Sequence, residues 1–234
     1  MKVSTGIRIG AMLAALVLAG CASQGTQKTL GEQNSGFLKD YSNLQWTQDR
    51  QGNPVRTWIS PSLAPERYDA ILLEPLRLYP EPRPTEQVSR EELERILAYA
   101  NQALKRELAK RFVLVNRPQP GAVRLRAAIS GVAAQGEGLA PYQYVPIALA
   151  ATMAKRAVAG TPQRAFIVGE SELLDSVSGE LLAQQVKVGS GAAAKLQKIA
   201  GKDRITLETV KPLVDELAAA ALPNLEQLVR PRGG

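Results

Sequence analysis

Four carboxylates, Glu170, Glu172, Asp175 and Glu180, fall close together in this sequence and could do acid–base chemistry. General acid–base work needs two such groups in environments of different polarity, so that one stays protonated while the other ionises. Glu170 and Glu172 are two positions apart, which places both on one face of a strand. The competing reading of that spacing is a solvated strand face with no chemistry. The rest of the catalytic inventory is thin. The 234 residues include no histidine, the commonest general base and metal ligand, and one cysteine, Cys21. Zinc sites, Cys–His pairs and Ser-His-Asp triads are therefore excluded, and no metal or cofactor is expected. Ser190 and Lys195 lack Ser-x-x-Lys spacing, and Gly189-Ser190-Gly191 is not followed by Gly-Lys-Ser/Thr. Gly131, Gly136 and Gly138 miss the dinucleotide spacing. The Ser–Lys pair reads as coincidence, and both glycine sets read as flexible turns.

Cys21 has a different chemistry. Met1 to Ile9 carry Lys2 and Arg8 and no acid, and Ala11 to Ala19 form an apolar run. That run is shorter than the roughly 20 residues a spanning helix needs, and it has the form of a cleaved leader. It ends in Leu18-Ala19-Gly20-Cys21. Small Ala19 and Gly20 let an extended backbone enter a peptidase cleft, and a thiol can accept a thioether-linked diacylglyceryl group. The segment resembles the lipobox of bacterial lipoproteins. The resemblance implies cleavage between Gly20 and Cys21, two acyl chains on the sulfur and a third on the new amino terminus, palmitate being a typical one. One chain anchors only marginally, whereas several hold firmly. Acylation would also consume the chain's sole thiol, leaving no intramolecular disulfide partner. Ala22 stands where an inner-membrane retention signal would place Asp, so the resemblance favours an outer-membrane anchor facing the periplasm.

The elements that must position any site follow from periodicity. Residues 1–20 are the leader, residues 21–45 a Ser-, Gln-, Gly- and Thr-rich tether, residues 46–229 one domain, and residues 230–234 a disordered basic tail. The most polar part, Ala22 to about Gly36, would span roughly 20 Å as a random coil, and the stretch that follows, through Trp46 and Trp58, is expected to lie against the domain. Val55 to Ile59 reads as a short extended segment, and Tyr68 to Leu78 as a strand that Pro75 places at an edge or bulge. Ser89 and Glu92 form a capping box ahead of Leu93, Ile96, Leu97, Ala100, Leu104 and Leu108 at helical spacing, with the helix ending near Arg111. Phe112 to Val115 is a short strand, and Val123 to Ala133 alternates as a longer one. Ala165 to Leu174 and Glu180 to Val188 are paired strands joined by the turn Asp175 to Gly179. A second amphipathic helix starts near Thr206; Pro212 fits only near its first turn, and Pro223 breaks or kinks it. The pattern predicts an α+β fold: an antiparallel or mixed sheet with two long amphipathic helices packed on one face.

Composition narrows the partners. The formal charge is +7; without Lys2 and Arg8 the mature chain has 27 basic and 22 acidic side chains, or +5. In a periplasmic setting that balance suits anionic headgroups or acidic protein patches rather than nucleic acid. Tyr142 and Tyr144 lead into the apolar Ile147 to Ala154, which Lys155-Arg156 follow. With Ile147 and Leu149 at its front, this stretch is a candidate partner or membrane contact, and a buried core segment is the plainer reading.

Several of these features recur together in one family. The lipobox, Tyr68-Asp69 before an apolar strand, Val123 to Ala127, and Glu172-Leu173-Leu174-Asp175-Ser176 with Gly179-Glu180 resemble the bacterial lipoproteins grouped as domain of unknown function 3313. The resemblance implies an envelope lipoprotein and supplies no active-site residues. The expectation is a non-enzymatic, lipid-anchored interaction or accessory module of the cell envelope, held to the membrane by its acyl chains and meeting an envelope protein. The alternatives are a carboxylate-dependent hydrolase of peptidoglycan or glycan, which needs a cleft holding two of the four carboxylates, and a carrier of a small apolar ligand, which needs an internal apolar cavity.

Overall fold

Period-2 alternation of apolar residues builds one mixed sheet. The computed structural model describes residues 34–50, 54–81, 89–135, 164–189 and 206–233. Its strands are β1 (Gln45–Gln48), β2 (Pro54–Ile59), β3 (Ala70–Leu73), β4 (Arg77–Leu78), β5 (Val113–Val115), β6 (Ala122–Gln135), β7 (Arg164–Asp175) and β8 (Leu181–Gly189). They lie in the order β1-β2-β8-β7-β6-β3-β5, and β4 also pairs with β6. From β1 to β6 every neighbouring pair is antiparallel. Beyond β6 the pairing becomes parallel, because β3, α1 (Arg90–Ala109) and β5 form a crossover unit. The sequence expectation of an α+β fold with a mixed sheet matches this architecture.

The helices depart from expectation. α1 runs 20 residues, but α2 (Leu207–Ala219) runs 13, and a one-turn α3 (Leu222–Leu225) follows it. Instead of two long helices there is one long helix and a shorter, interrupted one. Pro223 occupies an opening position of α3, where its missing N–H costs nothing. Pro212 lies inside α2 rather than in its first turn. The capping box is also half made. Ser89 Oγ accepts from the Glu92 amide at 3.2 Å, but the Glu92 carboxylate accepts from the Leu207 amide at the start of α2. One residue thus ties the two helix N-termini together.

Alternation divides the side chains between two faces. On one face Ile71, Val123, Leu125 and Leu173 pack with Leu104 and Leu108 of α1 and with Leu225 and Val229 beyond α2. Farther along that face Ile167 meets Val210 and Leu213 of α2. On the other face Val168, Val186 and Val188 pack with Leu38, Leu44 and the partly buried Tyr41 and Trp58. Residues 34–44, assigned from sequence to the tether, therefore lie against the sheet, with Leu38 only 2% exposed. The carboxyl tail is likewise pinned: the Arg230 amide donates to Tyr68 O at 2.8 Å and the Arg232 amide to Arg111 O at 2.7 Å. Pro75 meets the bulge half of the sequence expectation: Leu73 opposes Leu125 and Arg77 opposes Ala128, so the Pro75 side has one residue more than β6 between these pairs. Pro75 sits between β3 and β4, where Asn101 of α1 serves the exposed backbone by accepting from the Leu76 amide at 2.7 Å and donating to Leu76 O at 3.3 Å.

Candidate functional site

The four carboxylates are all placed; Glu170 and Glu172 both border the hollow described below through their strand, while their carboxyl groups are held by Tyr41 and Arg126. Glu170 and Glu172 leave β7 on the face covered by residues 34–44, and both are buried, at 1% and 4% exposure. A solvated strand face is therefore not what the sequence builds. Glu170 Oε2 accepts from the Tyr41 hydroxyl at 2.5 Å, while its Oε1 is buried without a hydrogen-bond partner. Tyr41 is a hub. Its oxygen also accepts from the Gly36 amide at 3.0 Å and the Leu38 amide at 3.2 Å. Burial, reinforced by the Glu170 carboxylate, raises the Tyr41 phenol above its ordinary value. Glu172 pairs with Arg126, its direct cross-strand partner in the register. Arg126 also meets Glu74 at 3.3 Å and lies over the Phe37 ring at 5.5 Å.

Asp175 and Glu180 flank the β7–β8 turn. Asp175 Oδ1 accepts from the amides of Val177 and Ser178 at 2.9 and 2.8 Å, and Oδ2 accepts from the Tyr68 hydroxyl at 3.1 Å. The Ser178 amide is the largest cause holding the Asp175 carboxyl below its usual value, with Val177 and Tyr68 adding to it against partial burial. Gly179 closes the turn at φ +75°, a conformation glycine adopts without a Cβ penalty. Glu180 accepts from Ser62 Oγ at 2.7 Å. Each carboxylate thus has its own structural partner. Among the described residues no group of His, Cys, Asp and Glu could hold a metal ion.

The opposite face holds what the sequence did not reveal. A hollow of about 430 Å³ lies between the sheet and the helices. Its floor comes from cross-strand rows. Leu125 opposes Leu173, which opposes Ala183; Ala127 opposes Ser171, which opposes Gln185; Ile129 opposes Gly169, which opposes Lys187. Large residues at the corners hold the helices off, and the small Ala127, Gly169, Ser171 and Ala183 leave the space beneath. Ala100, Leu104, Leu217 and Ala221 close the roof. The hollow is half open to solvent, and its volume falls within the roughly 300–1,000 Å³ of ligand pockets. Polarity is graded across the hollow, with Leu125, Ala127 and Ile129 at one side and Gln185, Lys187 and Thr57 at the other. The sequence signal was the run of small residues on alternate positions of adjacent strands, legible only once the register is known.

Cys21, Gly20, Tyr142, Tyr144, Ile147 and Leu149 lie outside the described residues, as do Ser190 and Lys195. Among the described residues no helix is long and apolar enough to cross a membrane.

Fold and site together define an α+β domain with two occupied sheet faces and an apolar hollow on one of them. The chain belongs to the family described as protein of unknown function DUF3313, whose model matches residues 33–221. It is 32% identical over 221 residues to the uncharacterized lipoprotein YdcL of Escherichia coli strain K12, covering 94% of this chain and 96% of that one. The same identity and coverage hold for YdcL of Escherichia coli O157:H7. The lipoprotein class read from the leader agrees with these relatives and is consistent with an envelope lipoprotein. Among solved structures, a PelC dodecamer from Paraburkholderia phytofirmans aligns with TM-score 0.35 and 16% identity over 75% of this chain and 97% of that chain. A PDZ domain protein from Parabacteroides distasonis aligns with TM-score 0.34 and 10% identity over 79% of this chain and 37% of that chain.

Proposed function

We propose that this chain is a non-catalytic binding module of the bacterial envelope, acylated at Cys21, anchored in the outer membrane, and carrying a small apolar ligand between its sheet and helices. The observation that carries this reading is the 430 Å³ hollow with its predominantly apolar walls. A half-open hollow of that volume falls within the range of ligand pockets. The non-catalytic part is supported by the commitment of Glu170, Glu172, Asp175 and Glu180 to separate structural partners. The chain also lacks histidine, which removes the commonest alternative base.

Titration with the apolar fluorophore N-phenyl-1-naphthylamine tests the pocket. Saturable binding with one site per chain is expected, and Ser171→Leu, which fills the floor, should abolish it. Absence of saturable binding to the unaltered protein would sink the carrier reading. The anchor is tested separately. Cys21→Ala should move the protein from the sedimenting outer-membrane fraction to the soluble periplasmic one.

A further inference from the structure

We infer that the hollow selects a single-chain amphiphile with an uncharged polar head, such as a monoacylglycerol, over a free fatty acid; this rests on the carrier reading above. The polarity gradient sets the orientation. At the β6 side Leu125, Ala127 and Ile129 line the hollow with hydrocarbon, facing Ala100 and Leu104 of α1. Toward β8 and β2 the middle row turns polar: Ala127 opposes Ser171, Ser171 opposes Gln185, and Gln185 opposes Thr57. An apolar chain therefore belongs under α1, with its polar end at Ser171 and Gln185. A hydroxyl and a primary amide both donate and accept hydrogen bonds without carrying charge.

The charged groups at this side decide against an anionic head. Among the described residues Lys187 is the cation of the lining, and its Nζ is 2.9 Å from Asp49 Oδ2, in a carboxylate whose side chain is 0% exposed. Withdrawing Lys187 from that buried carboxylate would cost more than a surface ion pair returns. A carboxylate head would meet a lysine already neutralised by Asp49, whereas glycerol hydroxyls need only the hydroxyl and amide already in place. Volume argues for one chain rather than two, since 430 Å³ lies near the lower end of ligand pockets.

The test uses the full-length chain carrying Cys21→Ser, so that no acyl group of its own competes. Bound N-phenyl-1-naphthylamine is displaced with 1-monolauroylglycerol or with laurate, each below its micellar concentration. Monolauroylglycerol should displace the dye at about tenfold lower concentration, the equivalent of about 1.4 kcal/mol. Gln185→Leu and Ser171→Ala should each narrow that preference while dye binding persists. Equal or better displacement by laurate, with the dye still binding, overturns the head-group inference and leaves the carrier reading standing. A preference for monolauroylglycerol that both variants leave intact overturns the assignment to Ser171 and Gln185. A dye that never binds overturns both the inference and the reading beneath it.

Discussion

The Tyr41 hydroxyl donates to Glu170 Oε2 at 2.5 Å, joining the segment that enters the domain to a strand at the middle of its sheet. Glu170 is 1% exposed and its other oxygen has no partner, so Tyr41 supplies its hydrogen bonding. Removing the donor with Tyr41→Phe leaves a buried carboxylate unsatisfied, which costs about 1–3 kcal/mol. Urea unfolding should show a lower midpoint at unchanged slope. A loss below about 0.5 kcal/mol would mean that the pair contributes no more than an ordinary surface contact. Tyr41 and Tyr68 are both raised chiefly by burial, each helped by a carboxylate. A phenol whose folded value is raised stabilises the protein fully below its unfolded value near 10, and that stability is lost as pH rises through the folded value. Alkaline unfolding should therefore begin above about pH 10, and Tyr41→Phe should reduce the alkaline part of the slope.

Asp175 titrates in the opposite direction. Two backbone amides and Tyr68 favour its charged form, so its folded value lies below the unfolded one. The resulting stability is present above the unfolded value near 3.9 and is lost as pH falls through the folded value. Asp175→Asn should be less stable than the parent at pH 7, and the gap should shrink as pH falls from about 5 toward 2. Thermal midpoints measured across that range check it. A gap that stays constant with pH would assign the loss to turn geometry rather than to charge.

Glu92 couples two helices through one carboxylate. It lies in the first turn of α1, and its Oε1 accepts from the amide of Leu207, the first residue of α2. Its Oε2 is 3.0 Å from Arg95, an exposed pair that adds little. Glu92→Ala should cost about 0.5–2 kcal/mol, the range for losing a helix cap. The distinguishing signature is local. Amide exchange should accelerate at residues 207–210 more than in the body of α1, and uniform acceleration across both helices would contradict the coupling.

Local chemistry made much of this fold legible. Alternation marks β6, β7 and β8, helical spacing marks α1, and the Asp175–Gly179 turn is written in its own residues. What escaped was long-range. Nothing in Asn34 to Leu44 announces that Tyr41 will reach Glu170, 129 positions away; the aromatics and leucines after Gly36 point only to a stretch that lies against the domain. The interruption after α2 was legible in Pro223, which reads as a break or kink, whereas the short span Leu207–Ala219 was not. The hollow depends on register. Ala127, Gly169, Ser171 and Ala183 are ordinary residues taken singly, and only the pairing of β6, β7 and β8 gathers them under the helices.

Stability and binding should part company at that hollow. Ala127→Leu adds hydrocarbon beneath Ala100 and Leu104 where packing is incomplete. Each buried methylene contributes about 0.8 kcal/mol, so a side chain that fits should raise unfolding stability by on the order of 1 kcal/mol after its loss of rotamer freedom. The same substitution should remove the rise in thermal midpoint that an apolar ligand gives the parent by mass action. A tightly packed site behaves differently, since forcing extra methylenes into it costs about 1–3 kcal/mol. Calorimetry of parent and variant, with and without monolauroylglycerol, separates the cases. A variant more stable alone but unresponsive to ligand identifies space kept open for an occupant, and a destabilised variant identifies a core already filled.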